Sequence, residues 1–107
     1  MSPKFLGELE QMVLLAILRR RDEAFAIAIL EELDERAGRA VSRGTLYKTL
    51  ERMEAKGLLE WTLEEGPPER GGNLRRRFSV TPRGVSALQE AREAFRNLWQ
   101  GLEGMAE

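Results

Sequence analysis

The fold is decided by residues 42–59, which read SRGTLYKTLERMEAKGLL. Ser42 is a favourable N-cap residue, because its hydroxyl can accept a hydrogen bond from an unpaired N–H of the first helical turn. Apolar residues then recur at spacings of four and three, the pattern of one buried helical face. They are Leu46, Leu50 and Met53. The stretch therefore predicts a helix that begins after Ser42 and runs to about Lys56, where Gly57 ends it.

Two more helices are predicted upstream of this one. Apolar residues recur every three to four positions from Leu6 to Arg20, and a second amphipathic pattern runs from about Ala24 to Ala37. Gly38 follows as a helix stop. Three helices joined by short turns indicate a helix-turn-helix unit.

Downstream, the hydrophobic period changes to two. Residues 58–65 and 75–81 each alternate between apolar and polar side chains, which predicts two half-buried strands. The intervening residues 66–73 are rich in glycine and proline, so the strands are expected to form a hairpin with a long loop. The inward positions are Leu59, Trp61, Leu63, Phe78 and Val80, with Trp61 in the core. Three helices followed by a hairpin are the order of a winged helix.

A final helix is predicted from Thr81, an N-cap residue, and Pro82, which suits the first helical position. Apolar residues follow at alternating spacings of three and four, a seam that a monomer would expose and a second copy would cover. They are Leu88, Ala91, Phe95, Leu98, Leu102 and Met105. We therefore expect an α+β, mostly helical fold: a winged helix-turn-helix domain over residues 1–83 with an added C-terminal dimerisation helix over residues 84–107.

The composition argues against several kinds of site. The chain has no cysteine and no histidine, which removes disulfides, thiolate ligands and the commonest catalytic base. It also lacks a nucleophile elbow, a phosphate-binding glycine loop and a metal-ligand cluster. We therefore expect no enzyme activity, catalytic residue, cofactor or metal. Because no long apolar run is present, we expect a cytoplasmic protein without a membrane segment.

The charge is unevenly distributed along the chain. The formal net charge is −1 overall, but residues 43–83 hold 9 Lys or Arg against 6 Asp or Glu, a net of +3. The flanking residues 1–42 and 84–107 each carry a net of −2. A basic face on an acidic protein is therefore expected around the third helix and the hairpin.

These residues resemble the PadR family of bacterial transcriptional regulators, short-chain type. The resemblance covers nearly the whole chain through LGELE at 6–10, SRGTLY at 42–47 with its continuation LERMEAKGLL at 50–59, and RRRFSVTPRG at 75–84. The chain departs from the family at Ala24-Phe25, where Gly-Tyr is usual. It also has Arg43 and Lys48 where many members have prolines, which adds two positive charges at the expected DNA surface.

The resemblance implies a dimeric, sequence-specific DNA-binding regulator, in most members a repressor, whose partner is double-stranded DNA. The N-terminal residues of a recognition helix lie nearest the base edges, so we expect Arg43, Thr45 and Lys48 at or near bases. Tyr47 and Thr49 suit phosphate contacts. The full predicted helix set is Ser42, Arg43, Gly44, Thr45, Tyr47, Lys48, Thr49 and Arg52, and the hairpin set is Arg70, Asn73 and Arg75.

Other interpretations of the same residues stay open. The cationic helix face can simply be solvated, and Arg76 or Arg77 can pair across the hairpin with Glu60, Glu64 or Glu65. The whole domain can also be a protein-interaction module without specific DNA binding. On the last helix, Phe95 and Trp99 either form dimer core or stack on a small aromatic effector, as the resemblance implies for some members.

Overall fold

The computed structural model describes residues 6–106, apart from the side chains of Arg70 and Ala106. The order of three helices, a hairpin and a final helix is confirmed. The elements are α1 (Glu8–Arg20), α2 (Ala26–Ala37), α3 (Arg43–Ala55), β1 (Leu59–Glu65), β2 (Leu74–Val80) and α4 (Pro82–Trp99), with short 3-10 turns at Arg21–Glu23, Pro68–Arg70 and Glu103–Ala106. Within residues 6–106, no helix is long and apolar enough to cross a membrane.

Both predicted helix caps form. The hydroxyl of Ser42 accepts a hydrogen bond from the N–H of Thr45 at 3.1 Å, and the hydroxyl of Thr81 accepts one from the N–H of Gly84 at 3.1 Å. Thr81 Oγ1 also donates to the carbonyl of Gly57 at 2.7 Å, which joins the start of α4 to the end of α3. The caps thus set both the start of each helix and the way α4 leaves the hairpin.

The core lies between the first three helices and the base of the hairpin. α1 and α2 contribute side chains such as Leu14 and Ile29, and α3 contributes the three residues predicted to face inward. The principal members are Val13, Leu14, Ile17, Ile29, Leu33, Leu46, Leu50, Met53, Leu59, Phe78 and Leu88. The core therefore packs against one face of α3, and the other faces of this helix remain available for function.

The hairpin extends past this core. β1 and β2 pair antiparallel with Trp61 opposite Phe78, and the N–H of Phe78 also donates to the carbonyl of Ala24 at 2.9 Å. Phe78 is buried as predicted, but Trp61 is half-buried rather than fully in the core. Leu63, predicted to face inward, is 55 % exposed, because the helices do not reach the outer half of the hairpin.

The predicted apolar seam of the last helix divides into two parts. Leu88 and Ala91 are buried within this chain, where α4 packs against α1, so their prediction as interface residues is wrong. The boundary predicted after residue 83 accordingly does not separate the first turns of α4 from the core. α4 ends at Trp99, and a turn at Gly101, whose φ is +86°, precedes a 3-10 segment. Leu102 and Met105 therefore lie outside the helix that was predicted to contain them.

An ion-pair cluster ties α1 to α2. The carboxylate of Glu32 accepts hydrogen bonds from the Nε atoms of Arg20 at 2.7 Å, Arg36 at 2.9 Å and Arg19 at 3.1 Å. The hydrogen bond from Arg20 is the main reason that the pKa of Glu32 lies below its ordinary value of 4.5. Folding thus favours the ionised form of this side chain.

We expect the free energy of unfolding to fall when the pH is lowered below about 4.5. Because the pKa of Glu32 is lower in the folded than in the unfolded chain, its contribution is present above about pH 4.5 and is lost as the pH falls through the folded value. Urea unfolding at pH 7, 5, 4 and 3 measures the effect. Glu32→Gln should flatten the pH dependence, whereas Glu90→Gln, at an exposed position on α4, should leave it as in the wild type. Equal curves for wild type and Glu32→Gln would contradict the assignment.

Candidate nucleic-acid interface

The exposed surface of α3 begins at its capped N-terminus. Arg43, Gly44, Thr45 and Lys48 are exposed, and Tyr47 is half-buried beside them. No atom outside the local chain lies within 4 Å of the position a Cβ would take on Gly44, so a partner can approach the backbone there. Unpaired N–H groups and the helix dipole make this end favourable for a phosphate. The structure therefore brings five of the predicted contact residues together on one surface, next to Ser42.

Thr49 does not belong to that surface. Its side chain is 1 % exposed, and its hydroxyl donates to the carbonyl of Thr45 at 2.9 Å. The prediction that Thr49 contacts phosphate is therefore wrong. The sequence is sufficient to predict this burial, because a residue three positions after Leu46 and four before Met53 shares their buried face.

The C-terminal half of α3 is turned toward α1. Lys56 Nζ lies 3.2 Å from Glu10 Oε2, and Arg52 Nε lies 3.7 Å from the same oxygen. Burial alone would raise the pKa of Glu10, but the N–H of Gly7 and the ammonium of Lys56 outweigh it and hold this pKa below its ordinary value. Arg52, predicted as a DNA contact, thus faces a carboxylate of its own chain, a partner that helical spacing did not reveal.

The three arginines of β2 are engaged within the chain. The Arg75 guanidinium stacks 3.6 Å from the centre of the Phe25 ring, and Arg76 lies 4.3 Å from the centre of the Trp61 ring. Arg77 pairs with Glu64 across the hairpin, as one of the alternatives predicted. Arg75 is half-buried, so it is not the freely extended cation that its predicted DNA contact requires.

The tip of the hairpin carries the other two predicted hairpin residues. Asn73 is exposed and follows Gly71 and Gly72, whose φ values of +86° and +66° produce the turn. The side chain of Arg70 lies outside the described part of the structure, and its role stays a prediction. Between this hairpin and the helices runs an open groove that sequence reasoning missed. Its lining includes Phe25, Ile27, Tyr47, Leu63 and Leu74.

A second exposed surface is apolar. On the last turns of α4, Phe95 is 56 %, Leu98 72 % and Trp99 49 % exposed. α1 packs beside α4 and exposes Leu15 and Leu18. Exposed side chains of this size on adjacent helices are typical of a protein-protein contact.

Comparison with known proteins identifies a family of transcriptional regulators. The sequence model of the PadR-like transcriptional regulators matches residues 14–90. The chain is 42 % identical over 83 residues to the transcriptional regulator Rv3488 of Mycobacterium tuberculosis. The matched region covers 78 % of this chain and 73 % of that protein. The described fold superposes on a PadR-like transcription factor from Bacteroides fragilis with a TM-score of 0.73 and 29 % identity, covering 92 % of this chain and 90 % of the other. It superposes on a PadR family regulator from Eggerthella lenta with a TM-score of 0.69 and 26 % identity, covering 94 % and 87 %.

Proposed function

Since the chain belongs to the PadR-like family of transcriptional regulators, we propose that it is a homodimeric, sequence-specific repressor that reads DNA with the N-terminal half of α3. The observation that carries this proposal is the exposed, capped start of that helix. Arg43, Thr45 and Lys48 stand there on one surface, and the core holds the opposite face of α3. A rigid helix with its polar end free is the form in which side chains reach the edges of bases.

Each residue of this surface has a role that its chemistry suits. Arg43 donates two hydrogen bonds to a guanine, and Lys48 and Thr45 contact neighbouring bases. Gly44 allows the backbone to approach the groove. The hydroxyls of Ser42 and Tyr47, with the N-terminus of α3, bind phosphates and set the register.

The hairpin acts as the wing. Asn73 and Arg70 at its tip contact the minor groove or the flanking phosphates. Arg75 instead supports the wing from within, since its guanidinium packs on Phe25 at the start of α2. This stack joins the wing to the helical body at the same edge where Phe78 bonds to Ala24.

The apolar surface on α4 and α1 forms the dimer. Phe95, Leu98 and Trp99 of one copy pack against Leu15 and Leu18 of the other, which removes these side chains from water. A twofold axis there relates two recognition helices, which bind half-sites about one turn of DNA apart, roughly 34 Å. The operator is accordingly a pseudo-palindrome.

The first test of this function is DNA binding to the region upstream of the protein's own coding sequence. Fluorescence anisotropy compares that duplex with a scrambled one at 50 and 200 mM salt. Tighter binding to the native duplex, weakening steeply with salt, supports a sequence-specific regulator. Equal affinity for both duplexes overturns the specificity, and no binding to either favours a protein-interaction module.

A second proposal concerns control by a small planar aromatic compound. Phe95 and Trp99 are about half exposed on the same helix, and an aromatic ligand can stack between such rings at the dimer interface. Trp61→Phe leaves Trp99 as the single tryptophan and therefore as a local reporter. Quenching by a panel of planar aromatics, with loss of DNA binding, supports an effector site, and unchanged emission throughout contradicts it.

Arg43→Ala should weaken operator binding by about 1–3 kcal/mol and relax the preference at one base pair of each half-site. The reason is the loss of the two hydrogen bonds to one base edge. A panel of operators with single substitutions measures this by anisotropy. Arg96→Ala, which removes the same charge from α4, is the matched control and should bind as the wild type does. Weakening that is equal for all sequences would instead make Arg43 a phosphate contact.

A further inference from the structure

We propose that Glu10 determines how many DNA phosphates the recognition helix engages, by holding Arg52 and Lys56 in ion pairs within the chain. This inference rests on the DNA binding proposed above. It assigns a role in recognition to a residue of α1, which is not on the DNA-facing surface.

The geometry places one carboxylate between two cations of the recognition helix. Arg52 and Lys56 are four residues apart and so lie on the same side of α3. Both face Glu10 Oε2, at 3.7 Å from Arg52 Nε and 3.2 Å from Lys56 Nζ. The cations are about half exposed, 57 % and 48 %, whereas the side chain of Glu10 is only 11 % exposed. A phosphate can approach these two cations from solvent, while the carboxylate of Glu10 contacts them from the side of α1.

Glu10 is also held in place by its other oxygen. Its Oε1 accepts a hydrogen bond from the N–H of Gly7 at 2.9 Å, which caps the start of α1. The two oxygens thus have separate partners, and the carboxylate cannot turn away without losing the cap. An ion pair at a nearly buried carboxylate is screened by salt less than one between exposed groups. A DNA phosphate must therefore compete with a fixed anion for Arg52 and Lys56.

The consequence is a division of α3 into two halves. Arg43 and Lys48, in the N-terminal half, are free of ion pairs among the described residues and available to DNA. In the C-terminal half, the two cations that face α1 are both engaged by Glu10. Contacts are thereby concentrated where bases are read, and the sequence-independent attraction to phosphate is reduced.

Glu10→Gln tests this with little disturbance to α1, because glutamine keeps an oxygen for the N–H of Gly7 and suits the same capping position. The operator duplex is titrated by anisotropy between 50 and 200 mM salt. The released cations should gain phosphate contacts, each steepening the slope of log K against log salt by about 0.9. The ratio of Kd at 200 mM to Kd at 50 mM should then grow about three- to fourfold per added contact, with tighter binding at 50 mM.

Two variants separate this effect from a change in net charge. Glu93→Gln makes the same charge change on α4, where Glu93 pairs with Arg96 at 3.1 Å, and should leave the salt slope unchanged. Glu10→Gln combined with Arg52→Ala and Lys56→Ala should lose the gain. A wild-type slope for Glu10→Gln, or a gain that persists in the triple variant, would overturn the proposal.

Loss of folding and absence of DNA binding are both distinguishable from a failure of the proposal about Glu10. Circular dichroism first checks that Glu10→Gln is folded. If it is not folded, the double variant Arg52→Ala/Lys56→Ala in the otherwise wild-type chain tests the proposal instead. The proposal expects the salt slope of this variant to match that of the wild type. A slope flatter by about 1.8 would contradict it. Failure of the wild type to bind any duplex would instead remove the proposed function itself.

Discussion

Leu98→Asp yields a folded monomer that no longer binds the operator. The Leu98 side chain is 72 % exposed in the single chain, so a carboxylate there meets water and costs the monomer little. In the proposed dimer the same position is covered, and each interface would bury unpaired charges at a cost of several kcal/mol. Losing the second recognition helix should then weaken operator binding by about a hundredfold or more, because two linked half-site contacts become one.

Light scattering at several protein concentrations measures the mass, and circular dichroism measures the fold. Asn97→Asp is the matched control, since it adds the same charge at the exposed neighbouring position, which lies about 160° around α4 from both Phe95 and Trp99. It should remain dimeric and bind DNA. A dimeric Leu98→Asp protein would show that the contact lies elsewhere. A monomeric variant with wild-type affinity would show that dimerisation is not needed for DNA binding.

Gly84→Ala should lower the free energy of unfolding by about 3 kcal/mol or more. A Cβ at Gly84 would lie 2.1 Å from the carbonyl oxygen of Leu58 and 2.6 Å from Val80 Cγ1. The carbonyl cannot easily withdraw, because it accepts the N–H of Thr81 at 3.1 Å. The substitution therefore pushes α4 away from the point where it leaves the hairpin, because the clash with a backbone carbonyl cannot be relieved by a side-chain adjustment.

Urea unfolding at neutral pH measures this loss. Gly44→Ala is the control within the same chain, since nothing lies within 4 Å of its added methyl group and Gly44 already has helical backbone in the first turn of α3. It should raise stability by about 0.5–1 kcal/mol, because alanine is the better helix former. Wild-type stability for Gly84→Ala would mean that α4 and β1 separate more easily than the structure indicates.

The order of elements, their caps and most of their bounds follow from the sequence alone. Ser42 and Thr81 begin helices through hydrogen bonds to residues three positions later, and the alternation around Phe78 identifies a strand. These are local effects, since each depends on residues within one turn or on one pleat. The exposed start of α3 follows in the same way, because the buried stripe of a helix defines the face opposite to it.

The tertiary structure decided which exposed side chains are free to act. Lys56 meets Glu10 across 46 positions of sequence, and Arg75 meets the ring of Phe25, so cations of similar local pattern differ in their availability. The apolar stripe of α4 likewise continues through Leu88 and Leu98, but only the first is covered by α1. Periodicity shows which face of an element is apolar or charged. What lies opposite that face depends on how the elements pack, and this is set by contacts between residues distant in sequence.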